Sequence, residues 1–162
     1  MRSRLQHKHT KIGTAATAAI FGALAVTALG ACGSSSAAPF STERFTDAVE
    51  SAGLTREPLT IADVIGSGWD QGVMVCPYDP VDSVESAIGT PWTQAPSTAN
   101  EDLAYVVVAT GDTVLATIRL DRSVVDPCSG TTLLSQRSFG PTMAFRVGRA
   151  PWGNGWILGP DG

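Results

Sequence analysis

LAYVVVATGDTVLATIRL, residues 103–120, is the stretch on which the fold turns. Two runs rich in β-branched and apolar residues flank Gly111-Asp112, which reads as the two-residue turn of a β-hairpin. Pairing Thr110 with Thr113 predicts that Tyr105, Val107 and Ala109 share a face with Val114, Ala116, Ile118 and Leu120. Every side chain on that face is apolar or aromatic, so this register is internally consistent. The opposite face, with Val106, Val108, Leu115, Thr117 and Arg119, is mixed and expected to be partly wet.

Outward from the hairpin, GVMVCPY (72–78) reads as a strand bounded by Gly72 and Pro77. Between it and the hairpin, DPVDSVESAIGTP (79–91) carries strong helix signals. Asp79 is placed to cap, Pro80 suits the first helical position, and Asp82 completes a capping-box-like pair. Val81, Val84 and Ile88 form an apolar stripe, Gly89 stops the helix and Pro91 follows. TIADVIGSG (60–68) predicts one short helical turn. PFSTERFTDAVESAGL (39–54) predicts a longer helix with Ser41 as cap, Glu43 in the first turn and Phe40 stapled onto Phe45. Its apolar face is Phe45, Ala48, Val49 and Ala52, with Gly53 as the stop.

Beyond the hairpin, DRSVVDPCSG (121–130) is turn-rich, and TTLLSQRSF (131–139) favours strand over helix by its β-branched start. TMAFRV (142–147) alternates as a strand. The tail APWGNGWILGPDG sets Trp152 and Trp156 among glycines. This order predicts an α+β domain over 39–162, a small antiparallel sheet of about four strands with two or three helices on one face.

Of 162 residues, 43% are hydrophobic and 16% charged, with 17 Gly and 10 Pro, which excludes a coiled coil or a disordered chain and fits a loop-rich fold. The basic residues are unevenly spread. Arg2, Arg4, Lys8 and Lys11 precede residue 12, as do His7 and His9. From Cys32 onward there are seven arginines and no lysine against all 15 acidic residues, a net charge of −8. Phosphate backbones attract dense Lys/Arg, so no nucleic acid is expected as a partner.

Residues 1–12 are basic, 13–29 carry no charge, and Gly30 and Ala31 are small, the layout of a secretory signal. Seventeen residues rich in Ala, Gly and Thr are short and weakly apolar for a membrane span of ~30 Å. Leu29-Gly30-Ala31-Cys32 resembles the lipobox of bacterial lipoproteins. The resemblance implies a signal peptide over 1–31, cleavage before Cys32, and acylation of the Cys32 sulfur, which would tie the chain to the lipid bilayer on the extracytoplasmic face of the cell membrane. GSSSAA (33–38) then reads as a flexible tether. No Arg-Arg pair precedes the apolar run, which favours the general secretion route. From Trp69-Asp70 through Pro77-Tyr78 to Gly89 the pattern is also similar to small envelope lipoproteins, and implies no known activity.

Cys76 and Cys128 remain after the anchor. In an exported setting an even pair reads as a disulfide, and the absence of a Cys-x-x-Cys or of any histidine after residue 9 favours a bridge over a redox or metal site. With neither His nor Lys after the leader, the common general bases, Ser-His-Asp and Ser-Lys arrangements and the usual zinc ligand are missing. No cofactor or metal is expected. Carboxylates are what remain for catalysis: Asp70, Glu101-Asp102, Asp121 and Asp126 are conceivable as a glycosidase pair, whereas caps and turns account for them without chemistry. Among aromatics, Trp69 and Trp92 are expected in the core, while Tyr78, Trp152 and Trp156 are candidates for a binding surface. The expectation is a non-enzymatic binding or scaffolding lipoprotein facing an envelope protein or glycan. A carboxylate-dependent hydrolase of cell-wall glycan and an inhibitor of an exported enzyme are the alternatives.

Overall fold

In the computed structural model, which describes residues 40–129 and 137–161, strand β3 (Leu103–Thr110) pairs antiparallel with β4 (Thr113–Asp121) and Thr110 stands opposite Thr113. Gly111 takes the positive φ of +50° that the tight turn demands. The register then breaks. Ala109 faces Val114, but Val108 faces Ala116, so Leu115 is an extra residue that no partner opposes. Beyond this bulge the expected faces are exchanged. Ala104, Val106 and Val108 lie with Ala116, Ile118 and Leu120, and Tyr105 and Val107 lie with Thr117 and Arg119. The face expected to be partly wet divides by strand: Leu115, Thr117 and Arg119 of β4 are exposed, whereas Val106 and Val108 are buried with the rest of Ala104 to Ala109.

Both faces of β3 are dry because different elements cover each. Strand β2 (Gln71–Val75) pairs with β3 on one side and β6 (Ser138–Phe139) on the other, giving a sheet ordered β4-β3-β2-β6. Helix α3 (Val81–Ile88) packs Val84 and Ile88 onto one face, against Val73, Val75, Tyr105 and Val107, with Trp92 closing the cluster. Against the other face stand α1 (Thr42–Thr55) and α2 (Ile61–Ile65), whose Phe45, Val49, Ile61 and Val64 meet Met74, Val106 and Ile118. Each fully buried Val or Ile contributes about 1.5–3 kcal/mol of apolar burial. Two helices therefore share a face as expected, and the third lies across the sheet from them.

The α+β class holds, with eight strands in two sheets of four among the described residues, where about four strands in one sheet were expected. The second sheet is ordered β1-β7-β8-β5, from β1 (Leu59–Thr60), β7 (Ala144–Arg149), β8 (Trp156–Pro160) and β5 (Val125–Asp126). Only the β5–β8 pairing is parallel among these neighbours. Its decisive member is β8. WILGP holds two glycine-flanked apolar positions, Trp156 and Leu158, that become a strand once β7 offers a ladder.

Local signals held at several ends. Ser41 caps α1 by accepting the Arg44 N–H at 3.2 Å, and Gly89 ends α3 at φ +74°. Two expectations are corrected. Asp79 does not cap α3: its carboxylate accepts the Cys76 N–H at 2.6 Å and grips the buried Arg137 guanidinium through two bonds of 2.6 and 2.9 Å. Gly53 does not stop α1, which runs on to Thr55 and ends at Arg56 in the left-handed region, φ +62°. Cys76 and Cys128 are joined in the expected disulfide, with Cα atoms 5.7 Å apart. The leader 1–31, Cys32, the tether 33–38 and residues 131–136 of the expected strand lie outside the described residues.

Candidate functional site

The site begins with an awkward residue choice near the end of α1. A glycine inside a helix costs about 1 kcal/mol relative to alanine, yet Gly53 sits within the last turns. A Cβ there would lie 2.2 Å from the Trp156 ring, so the glycine exists to let the indole of β8 press against the helix backbone. Trp156 is thus 5% exposed and packed in the core, and it also lines the cavity between this helix end and β7. Its ring supports Arg149, directly opposite on β7, whose guanidinium carbon lies 3.8 Å from the ring centroid. A bond of 2.8 Å from Arg149 Nη1 to the Asn154 carbonyl holds the same side chain from the β7–β8 turn.

Three residues after Gly53 the opposite oddity occurs. Arg56 occupies a left-handed position at which glycine would be cheaper by about 1 kcal/mol. Its guanidinium has no hydrogen-bond or ion-pair partner among the described residues. Between this helix end, the Glu57-Pro58 link and β7 opens a cavity of about 690 Å³. Arg56, Arg146 and Arg149 line it, with Glu57 as the one carboxylate, and Trp156 and Val147 supply apolar wall. Arg146 Nε donates to Asp161 Oδ1, and this bond and charge keep its pKa above the ordinary arginine value.

A second cavity, about 540 Å³, lies between Trp92 and the bulged part of β4. Leu115 and Thr117 line it, and Asp112 is its single ionisable residue. Trp92 itself is buried, its indole N–H donating to Thr117 Oγ1 at 2.9 Å, and Trp69 is buried likewise.

The remaining candidates from the sequence do not converge. Tyr78 is exposed at φ +66°, and its hydroxyl donates to Glu101 Oε1 at 2.7 Å, which with the nearby negative charge raises the phenol pKa. Trp152 is exposed on the β7–β8 turn and lines neither cavity. Cys76 and Cys128 are spent in the bridge, and Cys32 lies outside the described residues.

Of the conceivable catalytic carboxylates, Asp70, Asp121 and Asp126 have structural partners, Glu101 accepts from Tyr78, and Asp102 is bonded through its backbone alone among the described residues. Asp70 Oδ2 accepts from Thr110 Oγ1 (2.8 Å) and the Gly111 N–H (3.2 Å), pinning the hairpin turn. Asp121 accepts from the Ser123 hydroxyl and N–H, which lowers its pKa. Burial pushes the Asp126 carboxyl up, but bonds from Arg122, Ser129 and the Cys128 N–H outweigh it and leave the pKa below the ordinary value. No three acidic, Cys or His groups gather as a metal site, and no helix is long and apolar enough to cross a membrane, among the described residues.

Arg56, Arg146 and Arg149 were not singled out in the sequence. Residues 146 and 149 fall on opposite faces of a regular strand, and Arg56 is about 90 positions away. The available signal was the choice of arginine at every basic position after Lys11. No family model, curated protein or solved structure matches this chain.

Proposed function

We propose that the protein is a lipid-anchored extracytoplasmic lipoprotein with a non-catalytic binding role in the cell envelope. The leader and Cys32 supply the anchor. The observation that carries the binding half is the arginine-lined cavity at the end of α1, a concave surface whose charge is opposite to that of the acidic chain around it. Support for a non-catalytic role comes from Asp70, Asp79, Asp121 and Asp126, each occupied by bonds that hold a turn or a strand in place.

Two measurements test this. Cys32→Ser should move the protein from the membrane fraction to the soluble one, and a variant that still pellets with membranes defeats the anchor. The full chain in mild detergent should co-sediment with isolated cell-wall glycan and release no reducing ends. Steady release of reducing ends would replace binding by the hydrolase alternative.

A further inference from the structure

We infer that the cavity between the C-terminal end of α1 and β7 is a binding site for a phosphomonoester group; the inference rests on the binding reading above and names its ligand. Three arginines line one cavity from two elements far apart in sequence, Arg56 at the C-terminal cap of the helix and Arg146 and Arg149 on the strand. Guanidinium forks recognise oxyanions through charge-assisted paired N–H···O bonds. Arg146 spends its Nε on Asp161 and Arg149 spends one Nη1 bond on the Asn154 carbonyl, so each retains donors, and Arg56 retains all of its own. A planar carboxylate matches one such fork. A terminal phosphoryl group has three non-bridging oxygens, one for each arginine.

Charge agrees. With Glu57 in the lining and Asp161 on Arg146, three positive groups outweigh two negative ones, an excess suited to an ester that carries between one and two negative charges. The second cavity, lined by Asp112 alone among ionisable residues, offers no such match. The fold also invests in these arginines. A helical glycine admits Trp156, Trp156 supports Arg149, and a left-handed backbone holds Arg56 at the rim. The helical glycine and the left-handed arginine are locally unfavourable, and both serve this cavity.

The probes are glycerol phosphate, glutarate, and vesicles with and without phosphatidic acid, titrated into the full chain in mild detergent or added as vesicles to the Cys32→Ser chain. Arginine side-chain NMR signals report occupancy. Glycerol phosphate should saturate and shift Arg56, Arg146 and Arg149. Arg56→Gln and Arg146→Gln should each weaken it about tenfold or more, while Arg44→Gln, on the first turn of α1, should not. Tighter binding to phosphatidic acid vesicles than to glycerol phosphate assigns the phosphoryl group to lipid, and equal or weaker binding assigns it to a soluble or wall-borne ester. Equal affinity for glutarate overturns the phosphoryl assignment, and binding that survives both glutamine variants overturns the site. Wall co-sedimentation separates the two levels. If the variants lose glycerol phosphate but still co-sediment with glycan, the site stands and glycan is held elsewhere; if they keep glycerol phosphate and still co-sediment, the site fails and the binding reading stands. If glycerol phosphate binds but glycan does not, the site stands and the glycan partner fails.

Discussion

Arg56 and Gly53 exchange the roles that local rules assign to arginine and glycine. Arg56→Gly should relieve the left-handed backbone, and after the larger unfolded-state entropy of glycine a gain of about 0.5–1 kcal/mol should remain in urea unfolding. The same variant should lose phosphate-ester binding, so stability and binding move in opposite directions. Gly53→Ala should do the reverse of its usual helix effect. The propensity gain of about 1 kcal/mol is overridden by a methyl driven into Trp156, and a net loss of about 1–3 kcal/mol is expected from the same measurement. Asp126 sets an acid dependence. Its folded pKa is below the unfolded value of about 3.9, so its contribution is complete above that value and vanishes as the pH falls through the lower folded one. Urea midpoints recorded from pH 5 to 2 should fall, and Asp126→Asn should flatten part of that fall. An unchanged slope would mean that other carboxylates govern acid unfolding.

At the scale of elements, the hairpin 103–120 shows how far a period-two pattern reaches. The turn and the first two pairs were legible because Gly111 and alternating side chains specify them locally. The exchange of faces beyond Leu115 was not, because both faces of β3 become buried and hydrophobicity no longer distinguishes them. Deleting Leu115 should restore regular pairing while keeping Val108 opposite Ala116. A loss under about 1 kcal/mol is expected, with cooperative thermal unfolding retained. Collapse of cooperativity would show that the bulge itself is required. Asp79 teaches the complementary lesson. Asp-Pro before an apolar stripe is a sound cap signal, but a buried arginine 58 positions away outbids the helix for the carboxylate. Asp79→Ala, which strands that charge, should cost about 3–5 kcal/mol in urea unfolding.

For the molecule as a whole, the Cys76–Cys128 bridge joins the end of β2 to the segment after β5, and so ties the first sheet to the chain that feeds the second. Closing a loop of 52 positions should stabilise the fold by about 4 kcal/mol on chain-entropy grounds. The paired Cys76→Ser, Cys128→Ser variant should lower the urea midpoint accordingly, and an unchanged midpoint would assign the bridge no such role. Reading the bridge from the sequence worked because only two cysteines lie beyond Cys32 and no histidine follows residue 9. Reading the second sheet did not, because Gly153-Asn154-Gly155 hid the pairing of WILGP with β7, and its other neighbour, β5, lies about 30 positions away, beyond any local window.

What the amino-acid order determined alone is the α+β class, the three helices of the described residues, the hairpin and the disulfide. Each depends on neighbours within a turn or two, or on a count of cysteines. The division into two sheets, the buried state of Trp156 and the meeting of Arg56 with Arg146 and Arg149 were decided by tertiary structure. There a helix end and a strand from opposite ends of the domain are forced together by the apolar surface they bury, and the charges they carry arrive with them.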